Sequence, residues 1–79
     1  MMAWVVPALA GDAGKVNINT ASKEELMTLS GIGEAYAERI IQYRSTNGSF
    51  QTPEDILKVK GIGQKIFDAN KDRIIVSDQ

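Results

Sequence analysis

The chain carries one short motif twice, as Leu29-Ser30-Gly31-Ile32-Gly33 and as Val59-Lys60-Gly61-Ile62-Gly63, offset by 30 residues. A period of this size means that one supersecondary unit is used twice. In both copies an apolar pattern of helical spacing stops at the motif, and another starts after it. The first glycine can take positive φ at no steric cost and so end the incoming helix. The second leaves the backbone uncovered where the outgoing helix starts, with unpaired N–H groups and the positive end of the helix dipole exposed. That is a small, preformed anion site. Two of them on one domain can hold two phosphates.

The flanking residues repeat as well. Ser22-Lys23-Glu24-Glu25 is a capping box ahead of Leu26, Met27 and Leu29, which fall on one side of a helix. Tyr36, Ala37, Ile40 and Ile41 recur at helical spacing after the first motif, and Gly48 is the expected stop. Phe50 follows in a loop with no polar role, which assigns it to the core. Thr52-Pro53-Glu54-Asp55 then supplies an N-cap hydroxyl, a proline at the first helical position and two acids in the first turn. Ile56, Leu57 and Val59 match Leu26, Met27 and Leu29 at the same offset, and Ile62 matches Ile32. The outgoing helix turns Ile66 and Phe67 inward and Lys65, Asp68 and Lys71 outward. The expected fold is all-α, four helices and two hairpins packed as one small domain, with short extended segments at its ends. Val16-Asn17-Ile18-Asn19 and Ile74-Ile75-Val76 are those segments; they either lie against one another or cover the two ends of one core. The expected buried set is Leu26, Leu29, Ile32, Ile40, Ile41, Phe50, Ile56, Leu57, Val59, Ile62, Ile66 and Phe67.

Composition narrows the function. At 79 residues, 43% of them hydrophobic, the chain can form one domain and no separate catalytic lobe. Without cysteine or histidine, it lacks the means for disulfides, thiolate chemistry, zinc fingers and histidine acid–base catalysis. No enzyme activity, cofactor or metal is expected. The net charge of −1 hides an uneven distribution. From Ser22 to Glu38, Lys23 stands against Glu24, Glu25, Glu34 and Glu38, a net of −3. From Ile56 to Arg73, Lys58, Lys60, Lys65, Lys71 and Arg73 stand against Asp68 and Asp72, a net of +3. The basic half surrounds the second motif, where Lys60 precedes the glycines and Lys65 follows them. Arg44 either pairs with an acid or braces a loop, and Tyr36 and Tyr43 read as core or rim packing. The domain is expected to be a monomer.

Residues 1–15 differ from the rest. Met1 to Ala10 is apolar without periodicity, and Gly11 to Lys15 reads as a linker. The stretch is far too short to span a bilayer. Ala8-Leu9-Ala10 has the small-x-small form of a signal-peptidase site, although no basic n-region precedes it. The expectation is a disordered tail or signal-peptide remnant over 1–15 and a folded domain over 16–76.

Asn17-Ile18-Asn19-Thr20-Ala21-Ser22, Gly31-Ile32-Gly33, Ile40-Ile41-Gln42-Tyr43-Arg44, Asn47-Gly48-Ser49-Phe50 and the run from Glu54 to Gly63 resemble the tandem helix-hairpin-helix domain of ComEA-type competence proteins. The similarity extends from about Val16 to Val76. It implies two tandem helix-hairpin-helix motifs that bind double-stranded DNA without sequence preference. It also implies a role in DNA uptake during natural transformation, in the periplasm or as a secreted protein, with a cytoplasmic location as the alternative. Carried onto this sequence, the second hairpin supplies Lys58, Lys60, Gly61, Ile62, Gly63, Gln64 and Lys65. The first hairpin supplies Ser30, Gly31, Ile32 and Gly33 and is expected to bind more weakly. The reason is Glu34, which follows Gly33 where such proteins commonly carry a small or basic residue, and which is expected to compete for the hairpin's N–H groups. The alternative function is a helix-hairpin-helix module for protein interaction or structure, with little DNA affinity.

Overall fold

Each element follows from the chemistry of its ends. In the computed structural model, which describes residues 14–77, the order is β1 (Val16–Asn17), α1 (Lys23–Leu26), α2 (Glu34–Asn47), a 3-10 helix (Pro53–Lys58), α3 (Gln64–Asn70) and β2 (Ile74–Ile75). The signal-peptide-like stretch and Trp4 lie outside the described residues. Ser22 caps α1 through a complete capping box: its hydroxyl accepts from the Glu25 amide at 3.2 Å, and the Glu25 carboxylate accepts from the Ser22 amide at 2.9 Å. Thr52 and Asp55 build the same box at the 3-10 helix, with Pro53 at its start. Helix α2 ends at Gly48, whose φ of 94° only glycine adopts without strain.

The two incoming helices are shorter than periodicity alone implies. α1 has four residues, and its counterpart is 3-10, with i→i+3 bonds from Asp55 to Thr52 and from Val59 to Ile56. A run this brief between a cap and a glycine turn closes with the tighter helix at little cost.

The extended ends pair with each other. β1 and β2 form a two-stranded parallel ladder in the register Val16–Ile74 and Asn17–Ile75. The Val16 amide donates to the Arg73 carbonyl at 2.7 Å and the Ile18 amide to the Ile75 carbonyl at 3.1 Å. One end of the domain is thereby tied to the other.

The core joins both repeats. Leu26, Leu29, Ile32, Ala37 and Ile40 from the first meet Ile56, Val59, Ile62 and Phe67 from the second, with Val16, Ile18, Ala21, Phe50 and Ile74. Burying each large aliphatic side chain contributes about 1.5–3 kcal/mol. Positions 31–40 and 61–70 have the same order of buried and exposed residues. The outcome differs from expectation at four places. Ile41, Leu57 and Ile66 are half-buried against the core rather than inside it, and Met27 is 41% exposed because it falls past the end of α1, at the C-cap.

Polar side chains clasp the ends of the core. Asn19 accepts from the Phe50 amide at 2.7 Å and donates to the carbonyls of Phe50 and Ser77, each at 3.1 Å. Of the two roles open to Arg44, the structure shows the brace: its guanidinium donates to the carbonyls of Ile18 (2.9 Å) and Ala21 (2.8 Å). Its partial burial pushes its pKa below the usual arginine value. Tyr43 stacks on Phe50 with ring centroids 5.2 Å apart, a packing role.

Candidate functional site

The two hairpins have matching backbone geometry. Gly31 and Gly61 adopt φ of 81° and 95°, the left-handed conformation that ends the incoming helix. The chain then turns through a buried Ile32 or Ile62. Gly33 and Gly63 are the N-caps of α2 and α3, in extended conformation and with no side-chain cap. The first bonds inside these helices are Ala37 to Gly33 and Phe67 to Gly63. The amides of residues 33–36 and 63–66 therefore have no partner within their helices.

The second glycine of each hairpin is not demanded by the fold. Its φ is −94° at Gly33 and −108° at Gly63, which any residue tolerates, and a Cβ at either place would meet nothing within 4 Å. A side chain there would enter open space. Glycine at these two positions leaves the start of each outgoing helix without a covering side chain.

Each hairpin is held by the other repeat. The ring of Tyr36 and the guanidinium of Arg39, both on α2, lie 2.7 Å from where a Cβ of Gly61 would sit. The Ile66 side chain, on α3, lies 3.4 Å from the corresponding point on Gly31. Tyr36 and Ile66 both stand in the first turn of their helices, so the two hairpin tips and the two helix N-termini are neighbours. The residue before the first glycine is also clamped across the repeats. Asn70 accepts from the Ser30 amide at 2.7 Å and donates to the Ser30 carbonyl at 2.8 Å, while Arg39 donates to the Lys60 carbonyl at 3.2 Å.

Asn70 is a residue that sequence reasoning missed. It is 1% exposed and occupies the repeat position of Ile40. Its third bond, to the Ile66 carbonyl at 2.8 Å, completes its polar satisfaction. The available signal was the asparagine itself, standing where the 30-residue register calls for an aliphatic side chain.

The charges around the tips differ. At the second hairpin, Lys60 and Lys65 are exposed and form no ion pair among the described residues. Lys58 pairs with Asp55 at 3.5 Å. Asp55 is also the cap acceptor for the Gln51 and Thr52 amides, and those bonds hold its carboxyl below the usual range. Gln64 donates to Asp68 at 2.9 Å and so turns along α3. Arg73 does not join the basic face freely: it donates to the carbonyls of Gly14 and Thr28 and to the Thr28 hydroxyl.

At the first hairpin the structure corrects the role expected of Glu34. Its carboxylate does not occupy the amides of the hairpin; it binds Lys23 at 3.0 Å, and Glu38 binds the same ammonium at 3.3 Å. The Glu34 bond, then the Glu38 bond, raise the Lys23 pKa above its ordinary value. Lys23 lies on α1, close enough to draw both acids sideways. The amides of the first hairpin are open, although a net negative charge remains beside them.

Comparison with known proteins points to one family. The model for the helix-hairpin-helix motif matches residues 11–75. The chain is 54% identical over 72 residues to ComE operon protein 1 of Bacillus subtilis, which covers 87% of this chain and 35% of that protein. It is 47% identical over 74 residues to an uncharacterised protein of Haemophilus influenzae, covering 92% of this chain and 64% of the relative. Over 65 residues it is 43% identical to the human endonuclease/exonuclease/phosphatase family domain-containing protein 1, covering 82% of this chain and 11% of that protein. The chain thus spans less than two thirds of each of these relatives.

Proposed function

The chain belongs to the helix-hairpin-helix motif family, as a ComEA-like domain, and from that premise we propose that it binds double-stranded DNA without sequence preference. The observation that carries this reading is the pair of neighbouring hairpins whose second glycine is needed by no φ angle and no internal contact. A phosphate oxygen at each tip would accept from the free amides of the outgoing helix. Lys60 and Lys65 add charge at the second tip. Backbone amides and lysines at phosphates carry no base information, which is why sequence preference should be absent. Two neighbouring tips suit the two strands of a duplex better than one flexible strand. We propose a binding module and not an enzyme: a 79-residue chain without histidine or cysteine offers no histidine acid–base or thiolate chemistry and no room for a separate catalytic lobe.

The setting we propose is capture of DNA during natural transformation, outside the cytoplasm. Its support is the likeness to ComE operon protein 1 and the signal-peptide-like Ala8-Leu9-Ala10. No helix among the described residues is long and apolar enough to cross a membrane.

The test is fluorescence anisotropy with a labelled duplex, its scrambled versions and the matching single strand over a range of salt. With three to five phosphates neutralised, log affinity should fall against log salt with a slope near −3 to −4. Scrambled duplexes should bind equally, and the single strand more weakly. No binding even at low salt would refute the reading and favour a protein-interaction module.

A further inference from the structure

A basic surface extends beyond the two hairpins. Between the outer side of α2 and the end of the 3-10 helix runs a groove of about 470 Å³, whose walls include Arg39, Gln42, Tyr43, Thr46, Lys58 and Lys60. Every charged residue lining it is a cation. Lys60 belongs to both the groove and the second hairpin, so the groove begins at that tip and leads away from it along α2. Gln42 and Thr46 are exposed, and their side chains have no hydrogen-bond partner among the described residues.

The cations are placed to serve a ligand. Arg39 spends one N–H on the Lys60 carbonyl and lies 5.4 Å over the Tyr36 ring, which fixes its guanidinium and leaves further donors free. The Lys58 side chain remains 64% exposed despite its contact with Asp55. One face of Tyr43 is already stacked on Phe50, and the other residues lining the groove are not aromatic. Its chemistry is donors and positive charge, the chemistry that takes phosphate. From Arg39 to Thr46 the helix advances about 10 Å at 1.5 Å per residue. A DNA strand carries one charge per about 3.4 Å of axis and a longer path along the strand itself, so this length faces at most about three phosphates.

We propose that this groove tracks the backbone of the DNA strand held at the second hairpin, with Arg39 and Lys58 as cationic phosphate partners and Gln42 and Thr46 as neutral donors. The inference rests on the DNA-binding reading above and extends it to residues of α2 outside both hairpins. The second repeat does not carry these groups: the positions equivalent to Arg39 and Gln42 are Ala69, on α3, and Asp72, beyond its end. The footprint on DNA is therefore lopsided, longer on the strand at the second hairpin.

Two measurements on the full chain test this. In anisotropy titrations with a labelled duplex, Gln42→Glu combined with Thr46→Glu should weaken binding about tenfold or more and flatten the salt slope by about one to two. Thr46→Lys should strengthen binding and steepen the slope. Thr20→Glu, which puts an acid in the cleft beside β1 and β2, serves as the control for net charge and should change affinity less than about twofold per charge. In an NMR titration of the unaltered protein, the Gln42 side-chain amide should shift with DNA in step with the amides of residues 61–65. If the unaltered protein binds the duplex but its Gln42 amide stays still, the groove is not a DNA contact. Equal weakening per added charge by the groove variants and Thr20→Glu would overturn the proposal in the same way. If the unaltered protein does not bind, the DNA reading itself has failed.

Discussion

The two hairpins share a backbone and a burial pattern, yet they are built for different loads. The first is fixed by a buried side chain: Asn70, 1% exposed, forms two bonds to Ser30. The second is fixed by an exposed one, the single bond from Arg39 to the Lys60 carbonyl at 3.2 Å. The charges are distributed the other way. Glu34 and Glu38 stand beside the first tip and share Lys23, whereas Lys60 and Lys65 stand free of ion pairs among the described residues beside the second. The repeat supplies two hairpins of equivalent backbone geometry. Their side chains make the first the better-anchored piece of the fold and, among the described residues, leave unpaired cations beside the second.

The largest expected effect that tests this contrast is on stability. Asn70→Ala removes three bonds from a buried position, so it should cost about 2–4 kcal/mol, read from urea unfolding followed by circular dichroism. In a domain this small that corresponds to a fall in Tm on the order of 10–20 °C. A loss well below about 1 kcal/mol would mean that the first hairpin is not held by this clamp.

Next come the positive-φ glycines. An alanine at either costs about 1–2 kcal/mol from the left-handed backbone alone. At Gly61 it would also press on Tyr36 and Arg39 at 2.7 Å, whereas at Gly31 it would meet Ile66 at an ordinary 3.4 Å. Gly61→Ala should therefore be more destabilising than Gly31→Ala in the same unfolding experiment. The reverse order would contradict the packing that holds the second hairpin against α2.

The smallest effect concerns Lys23. Its ion pairs are exposed and solvent-screened, so Lys23→Ala should leave stability nearly unchanged. It also leaves Glu34 and Glu38 uncompensated beside the first tip, and DNA affinity should fall a few-fold at low salt, with the difference shrinking as salt rises. Unchanged affinity at low salt would show that the first hairpin contributes nothing to binding.

Much of this arrangement was legible in the residues because it is local or repeated. The capping boxes at Ser22 and Thr52, the stop at Gly48 and the positive φ at Gly31 and Gly61 each follow from a few neighbouring residues. The core followed from the 30-residue register. What stayed hidden depends on partners far away in sequence. The clamp by Asn70 is not visible until Ser30, 40 residues earlier, is seen against it. Glu34 reads as a blocker of its own hairpin until Lys23 is found to hold it. Arg73 counts only toward the basic charge of the second half until its bonds to Gly14 and Thr28 are known. The parallel pairing of β1 with β2 joins segments whose local pattern says only that they are extended. At the site, the glycines and lysines were readable from their spacing, but the groove along α2 was not, since it exists only where that helix meets the 3-10 helix.

The claim that the second hairpin carries most of the affinity is tested most directly by an anisotropy titration of one labelled duplex at physiological salt with three folded proteins. These are the unaltered chain, Lys60→Ala combined with Lys65→Ala, and Glu34→Lys. The double alanine variant should lose roughly ten- to a hundredfold in affinity, about 1 kcal/mol or more for each ammonium removed from a phosphate. Glu34→Lys should gain up to about fivefold, on the order of 1 kcal/mol from replacing a screened repulsion by an attraction. If the double alanine variant bound like the unaltered chain, or if Glu34→Lys weakened binding, the division of labour between the hairpins would be wrong.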